Sequence, residues 1–347
     1  MFMIRLFVRL LRMDRRLYGK LAERFCFAAN MDSGVEDYVT LHVRPKETFR
    51  REPRILQDDG NDAAILVQGQ IVRDGRFTIN TLARYRKMFP NAPIVMSTWA
   101  SEKAEDLEEI EALGVQMVLC DPPPMSGFLN FNLQRETTIQ GLKAVSSLGV
   151  SQVLKTRSDQ RIYDNHALAF LQALLIRFPA GKGEKSRGRV FVLNTTSLSN
   201  VPFHVCDMLQ FGYVGDVVNF WNAPAHVENM GRGRFEAELE GRQKLSELIA
   251  RTPTNPEVWL GRSYAALLYG SDALGSPKET YLRLIREAIG IIDQSQLDLL
   301  WPKYNAYEVP ADYQTPWIME RLTFEKWLAL CAGTAQDVVS YDPETYL

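Results

Sequence analysis

Ala64-Ile65-Leu66-Val67-Gln68-Gly69-Gln70 is the stretch that decides the fold class. A short apolar run that stops abruptly at an amide and a glycine reads as a buried strand emptying into a loop. Toward the C-terminus, residues 81–89 have helical spacing and stop at Pro90, and residues 94–96 form a second apolar run ending at Ser97-Thr98-Trp99. Residues 102–113 follow as a charged helix stopped by Gly114, and a third run, 115–119, ends at Asp121-Pro122-Pro123-Pro124. Strand, helix, strand, helix, strand in alternation predicts an α/β fold, a mostly parallel sheet flanked by helices with right-handed crossovers.

A helix over residues 131–148, carrying Asn132, Arg135 and Lys143, leads to the fourth strand, Gln152-Val153-Leu154-Lys155-Thr156. That strand runs straight into Arg157-Ser158-Asp159-Gln160-Arg161. Ligands of open α/β sheets bind beyond the carboxyl ends of the strands, so Lys155, Arg157, Asp159 and Arg161 are expected at the mouth of a pocket. Cations there suit phosphate oxygens, and a carboxylate suits a metal or a sugar hydroxyl. The same period-2 alternation also fits an edge strand whose alternate residues face water.

Further on, residues 167–178 look helical, 190–193 form another apolar strand, and 194–197 make a second polar mouth. Phe203-His204-Val205-Cys206-Asp207-Met208-Leu209-Gln210-Phe211-Gly212 sets one acid inside an apolar segment, before a helix at 215–221. Beyond residue 230 the pattern is mostly helical, with helices expected at 235–251, 256–269, 276–289 and 323–330 and a Tyr- and Pro-rich loop at 302–316. Three parts follow: residues 1–60 as a basic N-terminal segment and linker, 61–275 as the α/β domain, and 276–347 as a helical C-terminal appendage.

The chain has 347 residues, 46% hydrophobic and 24% charged, with a formal charge of -2, so nothing draws the whole protein to nucleic acid. Its four cysteines, Cys26, Cys120, Cys206 and Cys331, form no Cys-x-x-Cys pair, which argues for neither a zinc site nor a disulfide framework and suits a reducing cytoplasm. No run approaches the roughly 18 apolar residues of a membrane span. Residues 1–24 interleave Arg5, Arg9, Arg12, Arg15, Arg16, Lys20 and Arg24 with apolar side chains. Such a helix either lies on an anionic membrane surface, each basic residue contributing about 1 kcal/mol, or packs on the main domain with its arginines solvated. No Gly-x-Gly-x-x-Gly follows the first strand and no Walker-type phosphate loop occurs, which weakens a generic nucleotide-dependent enzyme.

Six pieces in order carry a family likeness: Val67-Gln68-Gly69, Tyr85-Arg86-Lys87-Met88-Phe89-Pro90, Ser97-Thr98-Trp99, Asn130-Phe131-Asn132-Leu133-Gln134 with Gly141-Leu142, Lys155-Thr156-Arg157-Ser158-Asp159, and Asp207-Met208-Leu209-Gln210-Phe211-Gly212. Over residues 60–270 the chain resembles the WavE lipopolysaccharide synthesis family. The resemblance implies a bacterial glycosyltransferase with a GT-A-like, Rossmann-like sheet. Its expected partners are a nucleotide-sugar donor and a glycan or lipid-linked acceptor, and its expected place is the cytoplasm or the inner face of the inner membrane. GT-A enzymes usually carry Asp-x-Asp at a strand end, where two carboxylates and Mn²⁺ or Mg²⁺ hold the donor diphosphate. Here Arg157-Ser158-Asp159 stands in that place, so one acid has become a cation. Asp159 remains as a single candidate metal ligand, and Lys155 and Arg157 are expected to neutralise the leaving diphosphate instead.

Position and chemistry, read beside that resemblance, give candidate roles. Gln68 and Gly69 follow the first strand, where the nucleotide is received. Asp121 either meets the ribose or base or serves as the turn residue that Asp-Pro favours. Asn132 and Arg135, one helical turn apart, face one site, with Arg135 a phosphate clamp or a solvated charge. Asp207 is the candidate general base, its apolar neighbours raising its affinity for a proton, unless it is a helix cap or a paired buried acid. Glu257 is the reserve, although Asn255-Pro256-Glu257 also reads as a plain helix start. A non-catalytic GT-A-like module that binds nucleotide sugar or glycan is the alternative, favoured by the missing acid.

Overall fold

The computed structural model describes residues 62–181, 185–227, 253–301 and 320–334. The expected membrane-binding segment at 1–24, the rest of residues 1–60, the helix at 235–251 and the loop at 302–316 lie outside the described residues.

One seven-stranded sheet organises the chain, in the order β3, β2, β1, β4, β7, β6, β8. β1 (Ala63–Gln68) is flanked by β2 (Ile94–Trp99) and β4 (Gln152–Arg157), both parallel to it, and β2 pairs in parallel with β3 (Gln116–Cys120). β7 (Gln210–Tyr213) is antiparallel to both β4 and β6 (Val190–Leu193), and β8 (Ile289–Ile292) is parallel to β6. The mostly parallel α/β sheet expected from the alternation is what the chain forms. Every residue of β1 is buried, as parallel strands covered on both faces require. Each Ile, Leu or Val removed from water there contributes about 1.5–3 kcal/mol.

The connecting helices are α1 (Phe77–Met88), α2 (Ala104–Ala112), α3 (Phe131–Ser146), α4 (Ala167–Arg177) and α5 (Val214–Trp221). They are followed by α6 (Pro256–Tyr269), α7 (Pro277–Glu287) and α8 (Phe324–Cys331). α3 packs on β1, β2 and β3, α5 packs on α3, and α6 packs on α5. A separate two-stranded ribbon joins β5 (Arg161–Ile162) to β9 (Leu299–Leu300).

Three expectations change. α1 begins at Phe77 rather than residue 81, led in by a 3-10 turn, Asp74–Arg76. β7 was not legible as a strand, because its four residues lie between the Asp207 segment and α5. The helix expected over 276–289 ends at Glu287, and Ile289–Ile292 turns back into the sheet as its outermost strand. The 276–347 region is therefore not only a helical appendage, since β8 extends the sheet through β6.

Candidate active site

The strand ends that face the β1–β4 junction carry the chemistry. Gly69 leaves β1 at φ 116°, donates its N–H to Ser97 O at 3.0 Å, and a Cβ there would lie 2.9 Å from Ser158 Oγ. Glycine is needed because the chain turns in the left-handed region against the β4 exit. Gln68 is buried, and its side-chain oxygen accepts from Thr137 Oγ1 at 2.8 Å, which ties β1 to α3.

At the end of β4, Arg157 and Asp159 form a bidentate ion pair, Nε to Oδ1 and Nη2 to Oδ2, both at 2.8 Å. Trp301 Nε1 also donates to Asp159 Oδ2, at 3.1 Å, and the guanidinium lies 5.7 Å from the Trp301 ring centre. Burial disfavours the Arg157 charge, but Asp159 more than offsets it and holds the guanidinium above its ordinary value. Both Asp159 oxygens are thus engaged. Among the described residues no group of three or more His, Cys, Asp or Glu is arranged to hold a metal ion. The Arg157-Ser158-Asp159 turn does not fit a divalent cation, which seeks carboxylate oxygens not already occupied by a guanidinium.

Lys155 lies deeper than the strand mouth. It is 0% exposed, its ammonium donates to Asp207 O at 2.7 Å and Met208 O at 3.3 Å, and it sits 4.4 Å from the Trp221 ring centre. Burial pushes the Lys155 ammonium down to about 7, against the pull of the Asp207 carboxylate. Both β4 alternatives drawn from the sequence fail for this residue: β4 is central, and Lys155, like the strand residues before it, faces protein rather than a mouth or water. Arg161 is also drawn away, donating to Thr81 Oγ1 at 2.8 Å and Phe77 O at 3.0 Å and stacking on the Phe77 ring at 4.3 Å.

Two carboxyl groups lie within electrostatic reach of Arg157. Asp207, 6% exposed, comes from the segment between β6 and β7, and Glu257 comes from the first turn of α6. Asn255 caps that helix by accepting from Glu257 N at 2.9 Å and Val258 N at 3.3 Å, with Pro256 following it. The plain helix start is real, and it carries Glu257 into the site. One turn on, Gly261 lets α6 close on the Asp207 segment: a Cβ there would lie 2.1 Å from Phe203 O, and Phe203 itself holds φ 66°. A non-glycine residue in that region stores strain, which clusters where function requires it.

Burial first, and the Asp207 charge second, push the Glu257 carboxyl well above the usual carboxylate range, with Arg157 pulling the other way. The buried Thr196 Oγ1 lies beside Glu257 and the Cys206 thiol. Glu257 therefore holds its proton more tightly than an ordinary carboxyl, as groups at acid-base sites often do.

Asn132 and Arg135 do share one face of α3, and what they hold is main chain. Asn132 Nδ2 donates to Met125 O and His226 O, its Oδ1 accepts from His226 N at 2.7 Å, and Arg135 Nε donates to Ala223 O at 2.6 Å. Their neighbour Gln134, singled out only within the family likeness, reaches the site directly by donating to Asp207 O at 3.2 Å. Asp121 is exposed beyond β3, three strands from β4 in the sheet. Sequence reasoning passed over Trp301 and Thr196; Trp301 sits far along the chain and gives no local signal, while Thr196 stood in the recognised polar mouth at 194–197.

No curated protein matches the sequence significantly. Solved structures resemble the chain only distantly. A cytidylyltransferase from Leptospira borgpetersenii serovar Hardjo-bovis is 13% identical with a TM-score of 0.31, covering 46% of this chain and 63% of its own, so the match spans less than two thirds of that protein. A Desulfovibrio desulfuricans protein, described provisionally as a nucleotide-diphospho-sugar transferase, is 9% identical with a TM-score of 0.31, covering 64% of this chain and 97% of its own. Mannose-1-phosphate geranyltransferase from Thermus thermophilus is 12% identical with a TM-score of 0.26, covering 68% and 70%. The decisive match is in sequence: the WavE lipopolysaccharide synthesis model fits residues 64–248, more than half of the chain and the part that holds β1, α3, Arg157, Asp159 and Asp207. The protein belongs to the WavE lipopolysaccharide synthesis family.

Proposed function

We propose that the protein is a GT-A-type glycosyltransferase that moves a sugar from a nucleotide-sugar donor to a lipopolysaccharide or other cell-surface glycan acceptor. The observation that carries this reading is that a buried carboxyl group, Asp207, and a half-buried one, Glu257 in the first turn of α6, lie within electrostatic reach of each other and of the guanidinium at the end of β4. Transfer requires a base to take the acceptor hydroxyl proton as its oxygen attacks the anomeric carbon, and a charge-stabilising group for the departing nucleoside diphosphate. Asp207 is the base. Glu257, whose hold on its proton is raised by burial first and by the Asp207 charge second, stands beside that base as a proton-holding neighbour. Arg157 receives the diphosphate, exchanging one carboxylate oxygen of Asp159 for a phosphoryl oxygen, and Gly69 allows the nucleotide close to the backbone of β1.

A specific observation also favours a second reading, a module that binds nucleotide sugar without turnover: the Arg157–Asp159 pair closes on itself. A thermal-shift panel of UDP-, GDP-, CMP- and dTDP-sugars, with release of nucleotide followed in parallel, separates the two. A ligand that binds the native state raises its melting temperature by mass action. The transferase reading predicts a shift with one nucleotide class accompanied by nucleotide release. A shift without release selects the module, and no shift with any donor removes both. Among the described residues no helix is long and apolar enough to cross a membrane.

A further inference from the structure

Segment 206–208 is gripped from several sides at once. Ser197 Oγ accepts from Cys206 N at 3.1 Å, and Gln210 Nε2 donates to Cys206 O at 2.8 Å. Lys155 Nζ donates to Asp207 O at 2.7 Å and Met208 O at 3.3 Å, and Gln134 Nε2 adds a second donor to Asp207 O at 3.2 Å. The far side of the ammonium is closed by the Trp221 ring, whose Nε1 is fixed by Gln210 Oε1 at 3.0 Å. No hydrogen bond to the Asp207 carboxylate is made among the described residues, so the main chain of Asp207 is fixed while its side chain is left for other work.

We infer that Lys155, together with Gln134, is a positioning residue that fixes the backbone of Asp207 and thereby aims its carboxylate at the acceptor, and that Lys155 does not touch the donor diphosphate. The inference deepens the reading of Asp207 as the base and rests on it. A buried ammonium is costly, and a carbon chain of the same length would fill the space as well; what an ammonium adds is donors for two carbonyls, Asp207 O and Met208 O, that no backbone N–H reaches among the described residues. Lys155 reaches the segment from β4, a fully hydrogen-bonded central strand of the sheet, and Gln134 supplies the matching hold from α3. A base held this way keeps the geometry that an attack on an anomeric carbon requires, where a displacement of about 1 Å costs about a hundredfold in rate.

The test compares the full-length parent with Lys155→Met and Gln134→Leu in two measurements. The first is hydrogen exchange at the amides of residues 206–210. The second is the split between kcat and KM for whichever UDP-, GDP-, CMP- or dTDP-sugar the parent cleaves. Positioning predicts faster exchange in both variants, kcat lowered by about a hundredfold in Lys155→Met and less in Gln134→Leu, and donor KM within about twofold of the parent. Unchanged exchange in both variants overturns it, as does a raised KM at constant kcat in Lys155→Met, which would put Lys155 on the diphosphate. Should Lys155→Met fail to fold, Gln134→Leu decides by the same two readings. If the parent cleaves no donor, the transferase reading fails by itself, and the exchange measurement still decides whether Lys155 and Gln134 hold the segment.

Discussion

Arg157 meets Asp159 two residues on with both ends of its guanidinium fork, each N–H···O contact at 2.8 Å. Where the resemblance implied a metal-binding acid, the chain thus holds a cation satisfied by its own neighbouring acid. Donor turnover should therefore persist in excess chelator, retaining most of the parent rate. Loss of all activity that Mn²⁺ alone restores would contradict the pairing as the functional state.

Glu257 imposes a pH dependence on stability. Its carboxyl is raised from 4.5 to about 8, by burial first and by the Asp207 charge second. A group whose folded value exceeds its unfolded one binds more protons in the native state between the two values, so stability falls as pH rises across that interval and levels off above it. Glu257→Gln removes this loss. Denaturant midpoints measured across the interval should fall for the parent and stay flatter for the variant, so that the variant gains relative stability as pH rises. Parallel curves would show that Glu257 is not held in its acid form.

Gly261 tests the close approach that brings Glu257 to Asp207. A methyl group there meets Phe203 O at 2.1 Å, whereas a Cβ on Gly275 meets nothing within 4 Å. Gly261→Ala should cost about 1–3 kcal/mol as overpacking against backbone. Gly275→Ala should stay within about 0.5 kcal/mol. Equal melting temperatures for the two variants would mean that α6 does not sit against the 203 segment as described.

The parallel half of the sheet was legible because β1 to β4 are apolar runs closed by glycine, proline or a polarity change, and the helices between them have breakers at their ends. β7 and β8 were not legible: four residues give too few periods to separate from a neighbouring helix, and Ile289–Ile292 continues the apolar face of α7 without a break. At the candidate site, Asp207, Glu257, Arg157 and Asp159 were singled out by residue type and place in the chain, and the structure brings Asp207 and Glu257 within electrostatic reach of Arg157. Lys155 was misplaced because alternation along a strand says which face a side chain takes, not whether that face is covered. In β4 both are, and α5 supplies Trp221 as the cover. Asn132 and Arg135 were correctly put on one helix face, but pattern alone does not tell a ligand contact from a grip on the main chain of residues 223–226.

The most direct measurement is nucleotide release from the donor that stabilises the parent, compared between the parent and Asp207→Asn, with donor affinity measured on both. Loss of a general base lowers turnover by about 10²–10⁴-fold. The prediction is a fall of that size in Asp207→Asn with donor affinity within about threefold of the parent, since Asp207 acts on the acceptor proton and not on the diphosphate. Near-parental release by Asp207→Asn would contradict the carboxyl pair beside Arg157 as the centre of transfer.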